Sequence, residues 1–396
     1  MKFLILSPMH SELLNSFKNK KIALVLSGGV VKASAWHLGV VKALYDIGFN
    51  LKKEGETQNL VISTLVGSSA GSLIHMFLAC GHHPQDIMDA HQGKKNSFKS
   101  IGYRDLLFIK KNPKGPKNEK RYQYFEGLPF GIKELAKPIA NISGFFSTAG
   151  LAEYLKENVL EKNNFKDYPL DIFIVASYLD LPRKAIFCKK EIISRNPENI
   201  YRMDASLSDA VAASMSVPPL YSPYAIENKQ NSEWEYFLDG EIRDTLSSHI
   251  AEENNCDLII NSWTYTPYEW NSEIGSLVNY GIPVIGLQSI CLLIHKKITQ
   301  DRYNKKKQLD ALDAVSHYLK QERLDSHSKK ILEILEEKLE FKKNIKHIDI
   351  CPVAGDHDIF LNNSFSLNPE LALMAFNRGY ARTFEVFKYA QPEEAL

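Results

Sequence analysis

The sequence predicts an α/β protein built on a mostly parallel central sheet, and three observations carry that expectation. Lys21–Leu26 (KIALVL) is an apolar run that stops at Ser27-Gly28-Gly29 and gives way to helical spacing from Ala33 to Tyr45. Val61–Val66 does the same: it stops at Gly67-Ser68-Ser69-Ala70-Gly71, and a helix-like run from Ser72 to Ala79 follows, with Gly81 as its C′ glycine. Further near-continuous apolar runs, Pro169–Tyr178 and Leu258–Asn261, read as strands covered on both faces. A helix between the first two strands makes a βαβ unit, so those strands lie parallel. Both glycine turns then fall at the carboxyl edge of the sheet, where ligands of α/β proteins bind.

The remaining elements follow in chain order. Ala185–Cys188 reads as an antiparallel partner of the Pro169–Tyr178 strand. Leu207–Met215 is a short helix capped by Ser206 or Ser208, and it leads into the rigid loop Val217–Tyr224 with its three prolines. Glu235–Leu238 is a strand ending at Asp239-Gly240; if parallel, it brings Asp239 to the edge that holds Ser69. Gly281–Ile294 is expected to be a buried strand and helix start. From Lys296 to Lys346 charge is dense, and apolar spacing at Leu309, Leu312, Val315 and Leu319, then at Ile331, Leu335 and Leu339, predicts a helical pair resting on a narrow stripe. His317 and His327 within it read as surface or packing residues. His347–Val353 restores a strand pattern, and Pro369–Tyr389 is a final amphipathic helix.

Composition limits the function. The chain has 396 residues, 44% hydrophobic and 24% charged, an ordinary globular balance. Its 48 basic and 47 acidic residues nearly cancel, so no global field argues for nucleic acid. The cysteines (Cys80, Cys188, Cys256, Cys291, Cys351) are scattered and odd in number, which suits reduced core residues rather than a disulfide framework or metal site. The apolar start MKFLIL is too short for a secretory segment, and no run approaches the ~18 residues needed to span a bilayer. A cytoplasmic protein is the expectation. The segment Lys94–Arg121 is rich in lysine and arginine interleaved with Phe98, Tyr103 and Phe108. That mixture fits a solvated insertion, or peripheral contact with anionic membranes; an RNA-binding module is missing.

The chemistry concentrates at the two glycine turns. Gly67-Ser68-Ser69-Ala70-Gly71 is a G-x-S-x-G pattern in the strand–turn–helix context that a nucleophile elbow requires, with Ser69 at its centre. The Gly28-Gly29-Val30-Val31-Lys32-Ala33 loop fits no nucleotide fingerprint. Its amides are better suited to an oxygen that becomes negative during acyl transfer, with Lys32 adding positive charge at the rim.

Taken together, these motifs closely resemble the patatin-like phospholipase family: Ser27-Gly28-Gly29 with Lys32, then Gly67-Ser68-Ser69-Ala70-Gly71, then Asp239-Gly240. His37–Leu44, Asp209–Pro219 and Asn377–Arg382 match as well, while Gln92–Asn141 and Lys296–Lys346 match poorly. The resemblance implies a three-layer α/β/α fold with an added helical segment near the C-terminus. Residues 1–20 would be an N-terminal extension. Residues 21–396 would form one domain, with a basic insertion at about 92–141 and a charged helical insertion at about 296–346. It implies a lipid acyl hydrolase of phospholipase A or lysophospholipase type, needing no cofactor or metal. Ser69 would be the nucleophile and Asp239 the general base, with no catalytic histidine. Gly28, Gly29, Val30 and Ala70 would hold the oxyanion, and Gly67, Gly71, Lys32 and Gly240 would support the motifs. The partner would be a lipid or lysophospholipid.

The chain departs from the family pattern at Val30, Lys32 and Ala33, and at Glu241, where the family has a small residue. A β-branched valine disfavours positive φ, so the Val30 amide is expected to be misaimed. A second carboxylate at Glu241 is expected to raise the pKa of Asp239. Two other readings stand beside the hydrolase: a non-catalytic lipid-binding protein of the same fold, and a conventional α/β-hydrolase using His357 as base.

Overall fold

The computed structural model describes residues 14–389 apart from 56–59, 95–98, 110–128, 130, 132–141, 195, 340–341, 354 and 362. The predicted N-terminal extension and the Lys110–Arg121 part of the basic segment therefore lie wholly or mostly outside the described residues. Lys94 and Lys99, which are described, pair with Asp89 and Asp105.

The apolar runs become a sheet because each has a partner on both sides. β1 (Ile22–Leu26) lies between β3 (Val61–Ser68) and β9 (Leu258–Ser262), parallel to both, and β10 (Lys346–Ile350) extends β9 in parallel. On the other side β3 pairs in parallel with β4 (Asp171–Tyr178), and β5 (Lys184–Phe187) runs antiparallel to β4 as predicted. β6 (Asn199–Arg202) closes that edge, giving the order β10-β9-β1-β3-β4-β5-β6. The short β2 (Asn50–Leu51) adds to the start of β3. Alternate residues along β1 feed two cores: Ile22, Leu24 and Leu26 face one, Ala23 and Val25 the other.

Helices cover both faces. α1 (Val30–Ile47), α2 (Ala70–Ala79), α3 (Pro84–His91), α4 (Ala149–Asn158), α5 (Leu207–Ser214) and α9 (Pro369–Tyr389) bury residues in the larger core, while α6 (Ser248–Glu253) packs on the opposite face. α1 and α9 approach through glycines. A Cβ on Gly39 would fall 1.9 Å from the Phe376 carbonyl oxygen, and one on Gly379 would fall 2.4 Å from that of Trp36. Ser206 caps α5, accepting the Asp209 N–H as predicted.

The charged helical pair is present as α7 (Gly281–Gln321) and α8 (Asp325–Lys338), with Leu312 and Leu319 buried. Arg302 on Asp349 ties α7 to β10, and Lys305 on Glu252 ties it to α6. One expectation fails here. Gly281–Ile294 forms no strand; it is the uncharged start of α7, and Ile282, Ile290, Leu292 and Leu293 are all exposed. A run that is apolar all round has no periodicity to separate strand from helix or to reveal which face is covered.

The direction of the acid strand, left open by the sequence, is settled by its pairing. β8 (Glu233–Asp239) is antiparallel, not parallel, hairpinned to β7 (Tyr224–Asn228) and paired with β4. β3 matches β4 as far as Ser68 opposite Val175, and β8 takes over on the same side with Asp239 opposite Ala176. β3 and β8 thus meet end to end along β4, and Asp239 arrives at the carboxyl edge from outside the sheet.

Candidate active site

Ser69 sits at a strained elbow. Its φ of 50° and ψ of −122° lie in a region that non-glycine residues avoid, and such strain persists only where the surroundings fix it. The glycines explain why the turn is tight: a Cβ on Gly71 would fall 2.1 Å from the Leu26 carbonyl oxygen, and one on Gly67 would fall 2.7 Å from the Ser72 nitrogen. The Ser69 amide is committed to the Ser214 hydroxyl at 2.8 Å, and Ser214 in turn donates to the Val175 carbonyl at 2.6 Å. Nothing in the sequence marks Ser214, a small polar residue on an apolar helix.

The Ser69 side chain lies against the buried carboxyl of Asp239, near enough to favour its charged form. Burial pushes the Asp239 pKa up to about 6, against the pull of Ser69 and of the Glu241 amide, which donates to it at 2.9 Å. Its backbone is pinned by Ser216, whose carbonyl accepts its N–H, and by Ser177, whose hydroxyl donates to its carbonyl. A Cβ on Gly240 would fall 2.3 Å from the Val175 carbonyl oxygen, so only glycine lets β8 close this tightly on β4.

The first glycine loop lies beside the elbow. The Gly71 N–H donates to the Ser27 carbonyl at 3.1 Å, joining the two turns. His37 braces the loop from below, its Nε2–H donating to that carbonyl at 3.0 Å while Nδ1 accepts from Ser262 at 2.9 Å. Burial takes its pKa down to about 4, so it is a neutral strut. Val30 does adopt the left-handed backbone, φ 59°, that its branching disfavours, and Gly29 stands at φ 133°. The expectation that valine would avoid this conformation is overturned: the Val31 amide is anchored to the Ser364 carbonyl at 2.9 Å, which holds the turn. The amides of Gly29, Val30 and Ala70 meet no acceptor among the described residues.

Gly28 differs. Its N–H donates to Glu241 Oε1 at 2.7 Å, and the Ser68 hydroxyl donates to the same oxygen. Glu241 is pushed up to about 8, first by burial and then by the charge of Asp239. The charge acts in the direction opposite to expectation: Asp239 raises Glu241, whereas Asp239 is raised by its own burial and the Glu241 amide lowers it. Lys32, expected at the rim, is instead buried, and desolvation lowers its pKa to about 8. His357 bonds Asn271 and packs edge-on against Tyr268; it is not the partner of Ser69. Beside Val30 opens a narrow apolar pocket of about 80 Å³, lined among others by Ser34, Leu38, Leu73, Phe77 and Met215.

A family model described as patatin-like phospholipase matches residues 24–251. That match spans more than half of the chain and includes both glycine turns and Asp239, so the chain belongs to the patatin-like phospholipase family. A comparison with curated proteins found no match. Among the described residues no helix is long and apolar enough to cross a membrane.

Proposed function

We propose that the protein is a serine lipid acyl hydrolase of phospholipase A or lysophospholipase type, with Ser69 as nucleophile and Asp239 as general base. One observation carries this reading: a strained elbow serine lies against a buried acid whose basicity burial has raised. A serine hydroxyl needs such a base to attack an ester. As Ser69 Oγ bonds the carbonyl carbon, its proton passes to Asp239. Asp239 then returns the proton to the leaving alkoxide, freeing an acyl-enzyme. Water attacks that ester with Asp239 again as base, releasing the fatty acid. The unoccupied amides of Gly29, Val30 and Ala70 would receive the oxyanion, a service worth about 3–4 kcal/mol per donor in comparable sites. The apolar pocket beside Val30 suits the end of an acyl chain.

We further propose one domain over residues 21–396 with the two insertions given above, a cytoplasmic setting, and peripheral contact with anionic membranes through Lys94–Arg121. A lipid-class turnover screen with Ser69→Ala as control tests the central reading: hydrolysis of a phospholipid or lysophospholipid that vanishes in the variant supports it, and equal turnover refutes it. The Gly28 amide held by Glu241 favours a second reading, a lipid-binding protein of this fold without turnover. Liposome binding with no fluorophosphonate labelling of Ser69 would select it.

A further inference from the structure

Glu241 is the acid at this site that the reaction above leaves without a task. Its side chain turns back over the glycine loop, so that a Cβ on Gly28 would fall 2.7 Å from Glu241 Cγ and 2.8 Å from Ser69 Cβ. Oε1 takes both the Gly28 N–H and the Ser68 hydroxyl, whereas Oε2 is buried and has no partner among the described residues. As a carboxylate, Glu241 would block an amide of the loop with a charge of the same sign as the oxyanion. As a carboxylic acid it would do the reverse. With two donors already on Oε1, the proton belongs on Oε2, leaving an unused O–H donor on a side chain that crowds the same glycine as Ser69.

We propose that Glu241 is a catalytic residue that works as a neutral acid, its Oε2–H donating a hydrogen bond to the substrate carbonyl oxygen as that oxygen becomes negative, in place of the Gly28 amide it covers. The inference rests on the Ser69–Asp239 reading. The proton is shared, not transferred, so the bonds made and broken in acylation are unchanged. Its surroundings favour the neutral form. Asp239 on β8 and Asp244 just beyond Glu241 both add negative charge, and the buried phenol of Tyr265 stands over the loop, its ring 3.7 Å from a Cβ on Gly29. The buried ammonium of Lys32 feels the Cys291 thiol first, not Glu241. Burial and these charges hold Glu241 near 8 while Asp239 stands near 6. Between those values one acid of the pair is ionised and the other neutral, the division of labour that base and hydrogen-bond donor require.

The test is the pH dependence of kcat on a micellar long-chain ester for wild type, Glu241→Gln and Glu241→Ala, with fluorophosphonate titration of Ser69 in each. Wild-type kcat should decline above about pH 8, following the pair's upper pKa. Glu241→Ala should lower kcat by about 10²–10³-fold with little change in KM. Glu241→Gln, which keeps an N–H donor, should lose less and should lack the alkaline decline. A Glu241→Ala variant as fast as wild type or faster would overturn the proposal, making the side chain a bystander or a plug. Persistence of the alkaline decline in Glu241→Gln would overturn it too. Labelled Ser69 in all three proteins confines such a failure to Glu241, whereas unlabelled wild type strikes the Ser69–Asp239 reading itself.

Discussion

Ser69 and Asp239 meet at one edge of the sheet although the strands that carry them run in opposite directions. The pairing works because β3 and β8 use the same side of β4 in succession, so the end of one strand faces the end of the other. Asp239→Asn preserves the shape of the acid but removes its basicity. Turnover should fall by at least about 10³-fold, with circular dichroism unchanged and no loss of thermal midpoint, and Ser69→Ala should do the same. A residual rate within tenfold of wild type in either variant would remove that residue from the mechanism.

Asp239 and Glu241 together contribute a stability that falls as pH rises. Glu241 rises from 4.5 to about 8 and Asp239 from 3.8 to about 6 on folding. The folded protein therefore holds more protons than the unfolded chain in this window. Their contribution is fully present below the unfolded pKa values and is lost as pH rises through the folded ones. Measured against Glu241→Gln, the wild-type thermal midpoint should fall progressively between about pH 5 and pH 8.5. Parallel curves for the two proteins would show that Glu241 does not titrate in the folded state as described.

Gly39 and Gly379 let α1 and α9 cross backbone against backbone. A methyl group at either would have to displace a carbonyl, at 1.9 Å from Phe376 or 2.4 Å from Trp36. Gly39→Ala should cost about 1–3 kcal/mol in urea unfolding, and more than the gain in helix propensity returns. A neutral or stabilising change would mean that the helices part without penalty.

The pocket beside Val30 predicts chain-length selectivity. Ser34 is half-buried in its wall and bonds the Val30 carbonyl at 3.0 Å. Ser34→Phe should fill the pocket and lower kcat/KM for long-chain esters while sparing acetyl esters. Equal losses on both would indicate damage to the glycine loop instead.

Much of this arrangement was legible in the sequence. Continuous apolar runs ending in glycine specify buried strands with open turns, so β1, β3 and both turns could be located with no structure. Asp239 was harder, because Asp-Gly is a common turn pair and only the family resemblance singled it out. Strand direction was not legible: β8 would read the same parallel or antiparallel, since direction is set by the hairpin with β7 and the space left beside β4. Propensity misled at Val30, where an amide anchored to Ser364 outweighs the strain of a branched residue at positive φ. Glu241 was visible as an oddity, but its seat on Gly28 depends on a side-chain reach that spacing does not encode. Leu292 and Leu293 show the remaining gap, since hydropathy alone does not tell a covered helix face from a bare one.

The most direct test of the account is intact-mass and peptide analysis after mixing the protein with a long-chain fluorophosphonate. The account predicts one phosphonyl adduct per chain, located on Ser69, lost in Ser69→Ala and slowed in Asp239→Asn. An ester-hydrolysing preparation that carries no adduct on Ser69, or that labels equally well in the Ser69→Ala variant, would contradict it.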